Sequence, residues 1–78
     1  MSGTTASRLR VAVTAPLLGM EERLAQRFRL RVHRGPQLTD PGALAAFVAD
    51  AHAAVTLLEN PVTDAVLKAC PALRIVAN

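Results

Sequence analysis

From Leu9 to Thr14, Leu9, Val11 and Val13 alternate with Arg10, Ala12 and Thr14, and β-branched residues concentrate in the segment. A period of two predicts a strand ending near Ala15-Pro16. Leu17, Met20, Leu24 and Phe28 then recur at steps of three, four and four, the stripe of an amphipathic helix. Glu21 and Glu22 near its start and Arg27 and Arg29 near its end suit the helix dipole. Period two returns over Arg29–Arg34, with Leu30 and Val32 inward, Arg29, Arg31 and His33 outward, and Gly35-Pro36 as the stop. Thr39 is the expected cap of a second helix, which has Asp40 and Pro41 in its first turn and Leu44, Phe47, Val48 and Ala51 on one face. Ala53–Leu58 is an apolar run broken only by Thr56, the pattern of a strand covered on both faces. After the Asn60-Pro61 turn, Thr63 can cap a third helix, with Val62 and Leu67 as a hydrophobic staple. Pro71 ends that helix near Cys70, and Leu73–Ala77 reads as a fourth strand.

Strictly alternating strands and helices with short connections predict a parallel α/β sheet with three helices. The first strand and the two apolar strands are expected to be central, and the arginine-rich second strand an edge. The expected order is 2-1-3-4, as in flavodoxin-like sheets. Right-handed crossovers would put the first helix on one face and the other two on the opposite face. Strands three and four would then have helices on one face only, although their sequences read as doubly covered. Residues 8–78 are therefore expected to be the front part of a larger, incomplete domain, and residues 1–7 a disordered tail.

Composition adjusts this picture in a few places. The chain has 78 residues, 51% of them hydrophobic and 19% charged, which excludes a disordered polymer and predicts a buried core. A net charge of +3, carried by arginines apart from Lys68, raises a nucleic-acid partner. Only Phe28 and Phe47 are aromatic, which leaves no platform for stacking bases, so no nucleic-acid role is expected. No apolar run reaches the roughly 20 residues of a membrane span. Val11–Met20 imitates a short signal peptide, but Pro16 interrupts it. A single cysteine, Cys70, cannot form an internal disulfide, His33 and His52 lack zinc-like spacing, and a cytoplasmic setting is expected.

In a parallel sheet of this order, ligands bind beyond the carboxyl ends of the strands, where the strand order reverses between strands one and three. The loops expected there are Ala15-Pro16-Leu17 and Leu58-Glu59-Asn60. Familiar chemistries do not fit them. Gly3, Gly19, Gly35 and Gly42 are too far apart for a dinucleotide fingerprint. Thr14–Gly19 is too apolar for a phosphate loop, and Glu59 alone does not make a phosphoacceptor metal site. Cys70 reads as a small buried hydrophobe rather than a nucleophile. His33 and His52 read as solvent-facing or capping. Arg23, Arg27, Arg29, Arg31 and Arg34 form either a basic stripe or, as the sequence favours, a solvated surface. Glu59 and Asn60 are either polar ligand contacts or a plain turn, with the turn favoured.

Val55-Thr56-Leu57-Leu58-Glu59-Asn60-Pro61-Val62, then a helix, then Pro71-Ala72-Leu73-Arg74-Ile75-Val76-Ala77-Asn78, resembles the N-terminal substrate-binding domain of D-isomer-specific 2-hydroxyacid dehydrogenases. The glyoxylate and hydroxypyruvate reductase branch is the nearest in pattern, and Arg10–Thr14 and Leu38-Thr39 extend the resemblance over residues 8–78. The resemblance implies an NAD- or NADP-dependent, homodimeric oxidoreductase acting on small 2-oxoacids and 2-hydroxyacids. Hydride passes between the nicotinamide and the substrate carbon, while a histidine donates the proton and an arginine polarises the carbonyl. It implies that Leu57 and Leu58 line the substrate cleft and that Asn78 leads into the loop holding the substrate carboxylate. The family's catalytic and cofactor-binding residues match nothing in this chain, so the chain alone is expected to be inactive and to bind no cofactor or metal. Asp50 departs from the glycine that closes the second helix in many relatives. The competing expectation is a stand-alone, flavodoxin-like protein-binding module that docks through the bare face over strands three and four.

Overall fold

The computed structural model describes residues 9–77; Asn78 and the expected tail lie outside the described residues. Four strands, β1 (Arg10–Val13), β2 (Arg29–Val32), β3 (Ala53–Val55) and β4 (Ile75–Ala77), pair in parallel in the order β2-β1-β3-β4. Helices α1 (Glu21–Arg27), α2 (Pro41–Val48) and α3 (Asp64–Ala69) occupy the three crossovers. The result is the flavodoxin-like α/β arrangement that the alternation predicts.

The core lies between one sheet face and the α2/α3 pair. Ala12 and Ala54 are small enough for the helices to approach β1 and β3, and Leu44, Val48, Val66 and Cys70 fill the space above them. Residues of opposite parity face α1: Leu30 and Val32 share a groove with Ala25 of that helix. Val11 and Val13 pair with Leu30 and Val32 in register on the same face, and both valines are buried.

Helix starts follow local chemistry. Asp40, not Thr39, caps α2, its carboxylate accepting the Ala43 N–H at 3.0 Å. Pro41 decides this, because the residue before a proline is driven out of the helical region, and Asp40 is extended at φ −95°, ψ 128°. Thr63 caps α3 as expected, accepting from the Val66 N–H at 3.3 Å. Its proposed staple is not a buried contact, since Val62 and Leu67 both stay exposed. Helix α1 is shorter than its apolar stripe suggests. Gly19 takes φ +77° in the turn before it, a conformation that breaks helical continuity, so Leu17 and Met20 precede the helix and Met20 is exposed.

The two apolar strands do not behave alike. Strand β3 is internal, but only Ala54 is buried within it, while Ala53 and Val55 are half-buried. Strand β4, expected to be central, is an edge with all three side chains exposed, Ile75 at 63%. Composition marks a strand that can be covered on both faces, whereas burial depends on which elements arrive to cover it. Leu44→Ala removes a side chain with no exposure and should cost about 2–5 kcal/mol, against less than about 1 kcal/mol for Ile75→Ala, as read from urea midpoints. Equal losses at the two positions would contradict this division of the sheet.

Candidate functional site at the carboxyl ends of the strands

Strand order reverses between β1 and β3, and the loops that follow them emerge there, where sheets of this order carry a ligand crevice. One side chain forms the floor between those loops. Asn60 is buried, and its Oδ1 accepts from the Thr14 hydroxyl at 2.6 Å and from the Leu57 N–H at 2.7 Å. Its Nδ2 donates to the Leu38 carbonyl at 3.1 Å. Two of these bonds join the loop after β3 to those after β1 and β2, and the third braces its own loop, so the Asn60 amide is committed to the fold rather than offered to a ligand. The sequence marked Asn60 as a turn residue but gave no sign of these long-range bonds.

Above that floor the rim is apolar. Leu58 projects at 86% exposure, whereas Leu57 is half-buried beside its bonded amide. The loop therefore presents one member of the expected cleft-wall pair and partly withdraws the other. Asn78, the third expected wall residue, lies outside the described residues. On the opposite rim, the β1–α1 loop forms a groove of about 320 Å³ lined by Pro16, Leu17, Leu18, Glu21 and Arg34, among others. The Leu17 N–H donates to Glu21 Oε2 at 2.9 Å, and the Arg34 guanidinium donates to Glu21 Oε1. Those two bonds, the arginine's first, hold the Glu21 carboxyl below the usual carboxylate value of 4.5, against a smaller opposing effect of burial.

The remaining candidates take structural roles. The His52 Nδ1 accepts the Arg10 N–H at 2.9 Å, so the neutral ring's proton sits on Nε2, and the ring caps the start of β1. His33 pairs through Nε2 with the Pro36 carbonyl at 2.6 Å and meets the Phe47 ring edge-on, with centroids 5.4 Å apart. Cys70 is buried, and burial raises its thiol above the ordinary 9.0, the opposite of an activated nucleophile. Asp50 adopts no left-handed conformation, so aspartate in place of glycine carries no backbone strain here; α2 ends through Ala49 in the right-handed region. The basic stripe is divided: Arg34 turns to Glu21, while Arg31 reaches the Phe47 carbonyl beside α2. Glu59 stays exposed in its turn.

Among the described residues, no cluster of three metal-ligating side chains occurs, and no helix is long and apolar enough to cross a membrane. The loop after β1 offers no free backbone N–H at Pro16 or Leu17 for a cofactor phosphate, since proline has none and the Leu17 N–H is already taken by Glu21. No protein-family model and no curated protein matches the chain.

Asn60→Ala would strand the Leu57 N–H and the Leu38 carbonyl and leave the Thr14 hydroxyl only its longer bond to the Val55 carbonyl at 3.3 Å, at a cost of about 2–3 kcal/mol. Faster hydrogen exchange at the Leu57 amide should accompany it, and a variant with unchanged exchange would deny the amide its linking role. Because Glu21 has a lowered pKa when folded, it stabilises the fold above 4.5, and that contribution disappears as pH falls through the folded-state value. Glu21→Gln should therefore lower the urea midpoint near neutral pH and leave it unchanged well below pH 4.5. A deficit that persists in acid would mean the glutamate acts by packing alone.

Proposed function

We propose that this chain forms the substrate-side domain of an NAD- or NADP-dependent D-2-hydroxyacid dehydrogenase of the glyoxylate or hydroxypyruvate reductase type. The observation that carries the reading is the loop after β3. It stands at the switch point of a 2-1-3-4 parallel sheet, is pinned by Asn60, and holds Leu58 out at 86% exposure. A leucine held in the open on a fixed loop contributes nothing to the core, and it suits one wall of a cleft for a small substrate. The sequence resemblance of the segments around β3 and β4 supplies the chemistry of that substrate, a 2-oxoacid or 2-hydroxyacid. The uncovered face over β3 and β4 agrees with a domain that packs against further structure.

In this reading the chain contributes shape. The proton-donating histidine and the carbonyl-polarising arginine belong to other parts of the enzyme, because His33 and His52 are engaged with backbone groups. The exposed Ile75 and Val76 favour a second reading, in which the chain is a self-sufficient module that binds a protein through the β4 edge.

The natural gene product carrying this sequence should oxidise NADH or NADPH when supplied with glyoxylate or hydroxypyruvate, and Leu58→Ala should raise KM more than it lowers kcat. The 78-residue chain by itself should bind NADH too weakly for isothermal titration to detect at micromolar concentrations. A gene product without reductase activity, together with a monodisperse, protease-resistant 78-residue monomer, would replace the dehydrogenase reading with the binding module.

A further inference from the structure

A basic groove lies at the other end of the sheet from the crevice. Its volume is about 370 Å³, and Arg10, Arg29, Arg31, Phe47, Asp50 and Ala51 are among the residues that line it. Register places the arginines together: Arg10 and Arg29 are direct partners across β1 and β2, and Arg31 follows two residues along the same face. Like charges directly opposite one another on a sheet repel, so this grouping costs stability unless something offsets it.

Asp50 offsets only part of it. Its carboxylate lies 3.7 Å from Arg10 and 3.9 Å from Arg31, both loose ion pairs on exposed side chains. Arg10 Nε is also held by the Asp50 carbonyl at 2.8 Å, and Arg31 by the Phe47 carbonyl at 3.1 Å, which fix two guanidiniums toward the groove. Arg29 has no ion-pair partner among the described residues. Three guanidiniums against one shared carboxylate leave the groove a net charge of +2, with Arg29 the arginine that has no share in Asp50. The Phe47 ring, 5.9 Å from the Arg31 guanidinium, adds an apolar wall.

We propose that this groove binds a phosphate monoester, with the phosphoryl group between Arg29 and Arg10 and the organic group along Phe47 and Ala51. A phosphoryl group carrying about −1.5 to −2 at neutral pH matches the uncompensated charge, and the planar guanidinium fork matches its oxygens. The groove is separate from the crevice at the carboxyl ends, so the assignment holds whether or not the chain belongs to a dehydrogenase.

Arginine Nε–H resonances followed by NMR at fixed ionic strength test this, with phenyl phosphate, inorganic phosphate and chloride as titrants. Phenyl phosphate should give saturable shifts at Arg10, Arg29 and Arg31, with tighter binding than inorganic phosphate. Arg29→Gln should weaken that binding roughly tenfold, and Asp50→Asn should strengthen it about threefold. If Arg29→Gln loses the native spectrum, the Asp50→Asn result decides. Equal affinity for phenyl phosphate and inorganic phosphate would overturn the monoester, and equal response to chloride would overturn the site. A short DNA duplex that shifts Arg23 and Arg27 along with the groove, with affinity falling steeply as salt rises, would overturn it in favour of a polyanion surface.

Discussion

A single buried amide holds the carboxyl end of this sheet together. In a parallel sheet every strand-to-helix loop emerges at the same end, beyond the reach of the ladder hydrogen bonds, and its polar backbone groups need other partners. Asn60 supplies them with two kinds of group at once, an acceptor for Thr14 and Leu57 and a donor for Leu38. Serine or threonine lacks this combined reach, and an aspartate carboxylate could not donate to the Leu38 carbonyl. The positions of all three loops, and therefore of Leu58, follow from this contact.

Packing is as uneven as the loops are well tied. The helices α2 and α3 press on Ala12 and Ala54, and Leu44, Val48, Val66 and Cys70 are buried between them and the sheet. On the opposite face, α1 lies over β2 and buries none of its own residues. Ile75 is consequently exposed although its β-branched side chain suits a covered strand. An apolar, unprotected edge is an invitation to pairing, and β4 has neither charge nor proline to discourage it. Both readings of function draw on this surface, one as a seam within an enzyme and the other as a docking face.

Much of the architecture was legible because it rests on local periodicity. The periods of Leu9–Val13 and Leu30–Val32, and the Gly35-Pro36 and Pro71 stops, give the element order, and crossover handedness then limits the sheet to few arrangements. What was not legible depends on contacts distant in sequence. Nothing near Asn60 announces that Thr14 and Leu38 will meet it, and nothing in the spacing of Arg10 and Arg29 shows that register will set them side by side. The cap of α2 is a different case. Pro41 already excluded a helical Asp40, so the shift from Thr39 to Asp40 was available from the steric rule for residues before proline, and the attraction of threonine as a cap concealed it.

The two ends of the sheet consequently differ in what they can recognise. At the carboxyl end the rim is leucine and proline, Arg34 is neutralised by Glu21, and His33 is bound to the Pro36 carbonyl. That end can shape a cavity but, among the described residues, has no unpaired cation to hold a substrate carboxylate. At the amino end, Arg10, Arg29 and Arg31 exceed the single carboxylate beside them. If the chain serves a reductase, charge recognition of the 2-oxoacid must come from groups brought to the crevice by the rest of the enzyme. The arginines cannot supply it, because the strands themselves separate them from the crevice: Arg10 and Arg29 open β1 and β2, whereas Thr14 and the loops lie past the far ends.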